Sequence, residues 1–289
     1  MATFTLPPDA DGVIRTSLSS TDLAQILQGD QSALQFVPGT QAVVLGDGTL
    51  SIGPNTDEAF IARLYEGLLG RPYDANGLSV WVSQLPNQGQ AAVAQQFVDS
   101  SEYQSVHGAQ DNTAFVNSLY ESVLGRAAEP GGLAAWTQML TDGTSRGEVA
   151  AAIADSAEAK QRWADITSAG IFARDFDAAT VREDYLAAFG READTGGLAH
   201  WTNLLKTEIS PADLAQDLAG SSEFQALHGQ QTDMEYVESL YENGLGRPGD
   251  PGGEAFWVNS LQSGASRADV LAAIAQSQEG QQHLGWALS

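Results

Sequence analysis

Four arginines occupy equivalent places in four similar stretches of the chain, each directly after a glycine: Arg71, Arg126, Arg191 and Arg247. A guanidinium group binds oxyanions through parallel hydrogen bonds, so these side chains are candidates for contacts with a sugar or a phosphate. Tyr73, in the first of these loops, is a candidate for the same kind of site. The structural alternative, which we favour, is that each arginine caps helix carbonyls or pairs with a glutamate of its own stretch. Those glutamates are Glu102, Glu158, Glu223 and Glu279.

One carboxylate stands three residues after each of these arginines, close to glycines: Asp74, Glu129, Asp194 and Asp250. Carboxylate and backbone carbonyl oxygens are the ligands of Ca²⁺, so these residues are candidate metal ligands. The ion takes about six to eight oxygens, however, and one acid in each loop supplies few of them. The alternative is that each carboxylate accepts hydrogen bonds from the N–H groups at a helix start, where aspartate suits better than glutamate. Calcium is the cofactor that the sequence suggests, and it suggests no other.

A tyrosine and a tryptophan accompany every Gly-Arg pair at constant distances. The tyrosines lie five residues before the glycine and are Tyr65, Tyr120, Tyr185 and Tyr241. The tryptophans lie eleven residues after it and are Trp81, Trp136, Trp201 and Trp257. Rings of this kind can stack on sugars, but their regular placement on apolar helix faces is explained more simply by core packing.

The composition excludes several classes of function. With 37 acids against 13 cations the net charge is −24, which disfavours nucleic acid and anionic lipid surfaces. Without cysteine there are no disulfides, zinc-thiolate sites or thiol nucleophiles. The four histidines are scattered, and no H-E-x-x-H, G-x-S-x-G or phosphate-loop motif occurs. We therefore predict a protein that is not an enzyme and does not insert into a membrane.

The stretches are internal repeats, and they must be helical to position these residues. Apolar residues such as Phe60, Leu64 and Leu68 recur at helical spacing before the glycine, where a left-handed C-cap requires that residue type. Trp81 to Trp201 and Trp136 to Trp257 are nearly equal separations, so the repeats form two tandem pairs. The prediction is a mainly α protein with helical-bundle repeat pairs at 57–165 and 178–289, joined by a linker at 166–177.

Residues 1–56 carry a different pattern, with the alternation of β-strands at 3–7, 12–18, 33–37 and 42–53. Gly46-Asp47-Gly48 is a hairpin turn signal, and a short helix is expected from Thr21. Strands so few and short are marginal alone, so this segment is expected to pack on the first repeat pair or on another molecule.

The pattern L-Y-x-x-x-L-G-R-x-x-D-x-x-G-L-x-x-W, followed by S-S-E-[YF], resembles a bacterial helical domain of unknown function that occurs in tandem. The resemblance covers about 57–289, and the pattern departs from it at Asp184 and Glu254, where leucine is usual. Such domains accompany RTX-type and S-layer sequences, and they are similar to the helical domain of phycobilisome linkers and to the lipopolysaccharide-anchoring end of α-proteobacterial S-layer proteins. The resemblance implies type I export without a cleaved N-terminal signal.

Together, these features predict an extracellular, non-catalytic structural or adhesive protein of the cell surface. It would bind a polysaccharide or lipopolysaccharide, associate with itself, or do both. The alternative is a protein–protein assembly module in which the N-terminal strands pair with a partner through strand addition.

Overall fold

The computed structural model describes residues 8–16, 18–26 and 36–284. It confirms the predicted fold class, because 68% is helical and a small four-stranded sheet lies near the N-terminus. None of the helices in these described residues combines the length and the apolar content that crossing a membrane requires.

The first two repeats each contain four helices, and in both the tyrosine helix finishes in a π-helical turn. In the first repeat these are α2 (Asp57–Leu64) with its π turn (Tyr65–Leu69), α3 (Ala75–Gln88), α4 (Gln90–Asp99) and α5 (Ser101–His107). In the second they are α6 (Asn112–Leu119) with its π turn (Tyr120–Leu124), α7 (Pro130–Thr141), α8 (Arg146–Ala154) and α9 (Ala157–Ser168).

The third and fourth repeats follow the same order with a regular α-helix up to the glycine. The third consists of α10 (Phe176–Phe189), α11 (Thr195–Thr207), α12 (Pro211–Gly220) and α13 (Ser222–His228). The fourth consists of α14 (Asp233–Leu245), α15 (Pro251–Gln262), α16 (Arg267–Ala275) and α17 (Gln278–Leu284).

Repeats pack as neighbours within each half of the chain, α4 against α8 in the first half and α12 against α16 in the second. Gly147 makes the first contact close, because a Cβ there would lie 2.6 Å from the carbonyl oxygen of Ala91. Apolar side chains fill the interior of the first half, among them the fully buried Phe60, Phe97 and Phe115. Burial of such aromatic side chains is the main source of stability in a helical core of this size.

The sheet consists of β1 (Val13–Arg15), β2 (Ala42–Leu45), β3 (Gly48–Ser51) and β4 (Ile171–Arg174), in the order β1-β2-β3-β4. β1 and β2 are parallel, whereas β2–β3 and β3–β4 are antiparallel. Leu45 pairs with Gly48, which confirms the hairpin turn, and the short helix α1 runs from Ser20 to Ile26. Of the other predicted strands, 3–7 and 33–35 lie outside the described residues.

The segment 166–177, which we predicted to be a linker, contains the strand β4. β4 pairs with β3 in the register Gly48↔Arg174 to Ser51↔Ile171 and packs on α3 of the first repeat. Ile171 and Phe172 are buried there. The physical reason is that an isolated hairpin leaves backbone N–H and C=O groups unpaired, and β4 supplies partners for one side of β3.

Candidate functional site

The tyrosine helix of every repeat ends at a glycine in the left-handed conformation, with φ of 63°, 70°, 64° and 66° at Gly70, Gly125, Gly190 and Gly246. Residues with a Cβ are disfavoured in this conformation. The turn directs the following arginine back over the helix, and its guanidinium carbon lies 4.9 to 5.7 Å from the centre of the repeat's tyrosine ring. Each arginine therefore makes a cation–π contact.

Each of these arginines also forms a two-point ion pair with the glutamate of its own repeat. Arg71 Nη2 donates to Glu102 Oε2 at 3.0 Å, and Arg126 Nη2 donates to Glu158 Oε2 at 2.8 Å. The same bonds occur in the other repeats, Arg191 with Glu223 and Arg247 with Glu279. The hydrogen bonds to Glu102 raise the pKa of Arg71, and those from Arg71 lower the pKa of Glu102. The arginine side chains nevertheless remain 38% to 45% exposed.

The four carboxylates that we marked as candidate metal ligands lie at the starts of the tryptophan helices. Three of them accept a hydrogen bond from a backbone N–H: Asp74 from Gly77 at 2.7 Å, Asp194 from Gly197 at 2.9 Å and Asp250 from Gly253 at 2.9 Å. Glu129 makes no such bond and contacts Arg126 instead. In the described part of the chain, no three His, Asp or Glu side chains come together as a metal-binding group.

The tyrosine and the tryptophan of a repeat lie against each other. Trp136 Nε1 donates to the Tyr120 hydroxyl at 3.2 Å, and Trp201 Nε1 donates to the Tyr185 hydroxyl at 3.0 Å. The four tryptophans are half-buried, so each keeps part of its indole ring at the surface. Tyr73, the remaining predicted binding residue, is also half-buried and packs on the core of the first half. Each repeat thus combines an aromatic pair, a guanidinium group and two carboxylates in one surface cluster.

One glycine of the D-x-x-G motif allows the tyrosine hydroxyl to approach the tryptophan helix. A Cβ at Gly132 would lie 2.7 Å from the Tyr120 hydroxyl, whereas a Cβ at the preceding Gly131 would meet nothing within 4 Å. The motif glycine is therefore required by a close contact and not by backbone conformation.

Replacing Gly132 by alanine is expected to lower the free energy of unfolding by about 1–3 kcal/mol, because the added methyl group overpacks this contact. Gly131→Ala is the matched control in the same helix. It should raise stability by up to about 1 kcal/mol through helix propensity. Urea unfolding of both variants measures the difference, and equal effects would contradict the role given to Gly132.

Two histidines that the sequence left without a role cap the tyrosine helices. His107 Nε2 donates to the Leu68 carbonyl and His228 Nε2 to the Ala188 carbonyl, each at 2.7 Å. In the second repeat Arg162 and Trp163 bond the equivalent carbonyl of Val123, at 2.8 and 3.1 Å. The sequence feature that could have predicted this role is the equal spacing of the two histidines after the S-S-E turn.

The third repeat contains a buried ion cluster that sequence reasoning missed. Arg182 and Asp47 are both fully buried, and Arg182 Nη1 donates to Asp47 Oδ2 at 2.8 Å. Arg182 also donates two bonds of 2.7 Å to Glu192. Asp47 accepts bonds from the backbone N–H and the hydroxyl of Ser20, at 2.6 and 2.7 Å. The cluster joins the hairpin turn, the start of α1 and the helix α10.

Three further carboxyl groups are buried, one on α2 and two on α10. Burial raises the pKa of Glu58 to about 7, that of Glu183 to about 8 and that of Asp184 to about 7. The carboxylate of Asp184 accepts a hydrogen bond from Gln276 Nε2 at 3.2 Å. Asp184 stands where the other repeats have Leu64, Leu119 and Leu240, and this departure from the pattern was visible in the sequence.

The repeats match a protein-family model described as a domain of unknown function (DUF4214). The matches cover residues 51–105, 94–163, 176–228 and 215–284, which together span most of the chain. The chain belongs to this family. Its four DUF4214 repeats correspond to the four helical units, and the search of curated proteins found no match.

Proposed function

We propose that the chain is a non-catalytic binding protein of the cell surface whose DUF4214 repeats hold a polysaccharide or a lipopolysaccharide. The observation that carries the proposal is the surface cluster of every repeat. It places a half-buried tryptophan beside a partly exposed guanidinium and a carboxylate. Aromatic faces contact the C–H face of a sugar ring, and charged and amide groups bind its hydroxyls.

Repetition supports the same function. Four similar clusters on one chain would gain avidity on a polymer that repeats its own units, because the second contact is made at high effective concentration. The proposal places the protein outside the cell, in the context of S-layer and RTX-associated proteins exported by the type I route. Self-association of the protein on the cell surface would also use the four repeated clusters.

We propose that Ca²⁺ bridges the protein to charged sugars. The carboxylates at the helix starts are exposed, with Asp74 and Asp250 at 58% and 60%. One oxygen of each accepts the helix N–H, and the other lies 3.5 Å from Arg71 Nη1 or 3.7 Å from Arg247 Nη1. A Ca²⁺ ion that bridges such a carboxylate to a charged sugar would therefore replace this contact with the arginine. Comparison of binding with added Ca²⁺ and with EDTA tests this part separately.

A binding assay tests the function itself. We expect the full chain to be retained by immobilised polysaccharide or lipopolysaccharide and to bind in a glycan array. A variant in which all four arginines are glutamine keeps the hydrogen-bonding amide but loses the ion pairs, and its retention should fall. The control variant carries glutamine at Arg15 and Arg146, outside the clusters. If the full chain binds none of these glycans with or without Ca²⁺, the proposal is wrong.

The assembly alternative has less support. The strand β3 is already paired on both sides within the chain, by β2 and β4, and Asp47 of the hairpin is bound to Arg182. Of the strands β1, β2 and β3, only β1, which is three residues long, lies at an edge of the described sheet; the opposite edge is β4.

A further inference from the structure

An open groove of about 660 Å³ lies on the fourth repeat, beside the surface cluster of that repeat. Its lining includes Tyr241, Trp257 and Glu279, and three further polar side chains: Ser277, Gln278 and Gln282. Gln278 and Gln282 are exposed, so their amides are accessible from solvent. An aromatic wall and exposed amides in one groove form a recognition surface for a ligand that has both an apolar face and hydroxyl groups.

The groove depends on residues that differ between the repeats. In the first repeat the Phe97 ring covers Trp81, with ring centres 4.5 Å apart and planes tilted by 35°. Ile274 holds the equivalent position in the fourth repeat, so that no second ring lies there. The positions of Gln278 and Gln282 are occupied by Ser101 and Ser105 in the first repeat. They are Ala157 and Gln161 in the second repeat and Ser222 and Ala226 in the third, so only the fourth repeat has two glutamines there.

A second aromatic ring lies beside Trp257 on α15, outside the groove lining. Phe256 is 59% exposed, and its ring lies edge-to-face to that of Trp257 with centres 4.8 Å apart.

We propose that this groove is a subsite for neutral saccharides and that the fourth repeat is therefore the main binding repeat. The inference rests on the function proposed above. The sugar ring stacks on Trp257, and the amides of Gln278 and Gln282 bond its hydroxyls. The sugar is uncharged because Glu279 lines the groove, and both Nε and Nη2 of Arg247 are bonded to that carboxylate. A net charge of −24 further repels acidic sugars.

Calorimetric titration of the full chain tests the subsite. The probes are neutral hexasaccharides of glucose, mannose and galactose, a hexauronate, and a lipopolysaccharide, each in EDTA so that no ion bridges the charges. We expect a neutral hexasaccharide to bind and the hexauronate not to bind. In the double variant Gln278→Ala/Gln282→Ala the affinity should fall about tenfold, the effect of losing two hydrogen bonds.

Gln161→Ala is the matched control, since Gln161 is exposed and stands in the second repeat at the position of Gln282. Its affinity should equal that of the unchanged chain, and thermal unfolding should show that both variants are folded. The subsite is overturned, and the general function is kept, if only the hexauronate or the lipopolysaccharide binds. The same holds if the double variant binds the neutral hexasaccharides as tightly as the unchanged chain does. A second series of titrations with the same probes contains Ca²⁺ in place of EDTA, and failure of every probe in both series overturns both the subsite and the general function.

Discussion

Replacing Arg182 by alanine is expected to lower the free energy of unfolding by about 3–5 kcal/mol, the typical cost of leaving a buried charge without its partner. The variant leaves the fully buried carboxylate of Asp47 with only Ser20 of the partners described above. Glu192 loses both of its bonds to the guanidinium as well. Urea unfolding at neutral pH measures the loss.

Arg191→Ala is the matched control, because Arg191 is in the same repeat and also forms a two-point pair with a glutamate, but is 45% exposed. Solvent screens exposed pairs, so the control should change stability much less. Asp47→Ala should be comparable to Arg182→Ala, and the double variant should cost less than the sum of the two. A similar small loss for Arg182→Ala and Arg191→Ala would show that the cluster does not hold the sheet to α10.

The second large effect is a loss of stability as the pH rises from about 4 to 8. The folded chain raises the pKa of Glu58, Glu183 and Asp184 to about 7, 8 and 7, above the ordinary values of 4.5, 4.5 and 3.8. Below the ordinary values both states hold the protons and the stability is complete. Between the ordinary and the raised values only the folded state keeps the protons, so stability falls until the folded groups ionise as well.

Asp184→Leu should remove part of this pH dependence, because it introduces the residue that the other three repeats have at this position. One pKa unit corresponds to about 1.4 kcal/mol, so the variant should be more stable than the unchanged chain by roughly 2–4 kcal/mol at pH 8. Near pH 4 the difference should shrink, since the carboxyl group is then neutral in the folded state and partly protonated in the unfolded state.

Two further variants separate charge from packing. Asp184→Asn removes the charge and retains a polar group for Gln276, so it should flatten the pH profile without the added apolar burial. Asp217→Asn changes an exposed carboxylate on α12 and should leave the profile as it is. The midpoints of urea unfolding between pH 4 and 8 measure the pH dependence of stability in each variant. If Asp184→Asn leaves that pH dependence unchanged, the role of Asp184 is disproved.

Most of the helical architecture could be predicted from local pattern. The tyrosine helices end at Gly70 and its equivalents because a left-handed residue follows an apolar helical stripe, and both features lie within a few neighbouring residues. The pairing of Arg71 with Glu102 was also accessible, since the separation recurs in every repeat and thus indicates one repeated contact. The weak cap at Glu129 followed from side-chain length alone.

The accessibility of each surface cluster to a ligand could not be predicted from local pattern. Trp81 and Trp257 occupy one motif position, yet the first contacts Phe97 and the second lines a groove. The difference arises from a neighbouring helix, and a single motif does not contain it. The sequence therefore placed the candidate residues without showing which repeat is accessible to a ligand.

What the sequence by itself determined is the repeat: its helices, their caps and the ion pair that closes each unit, because these depend on residues close along the chain or on a separation that recurs. What only the tertiary structure decided is how the halves meet. Strand β4 completes the N-terminal sheet, and Arg182 bonds Asp47 across 135 residues. The positions equivalent to Arg182 in the other repeats are Ala62, Asn117 and Glu238, so no periodicity in the sequence predicts this contact. Burial of both charges is what makes the loss of either one costly.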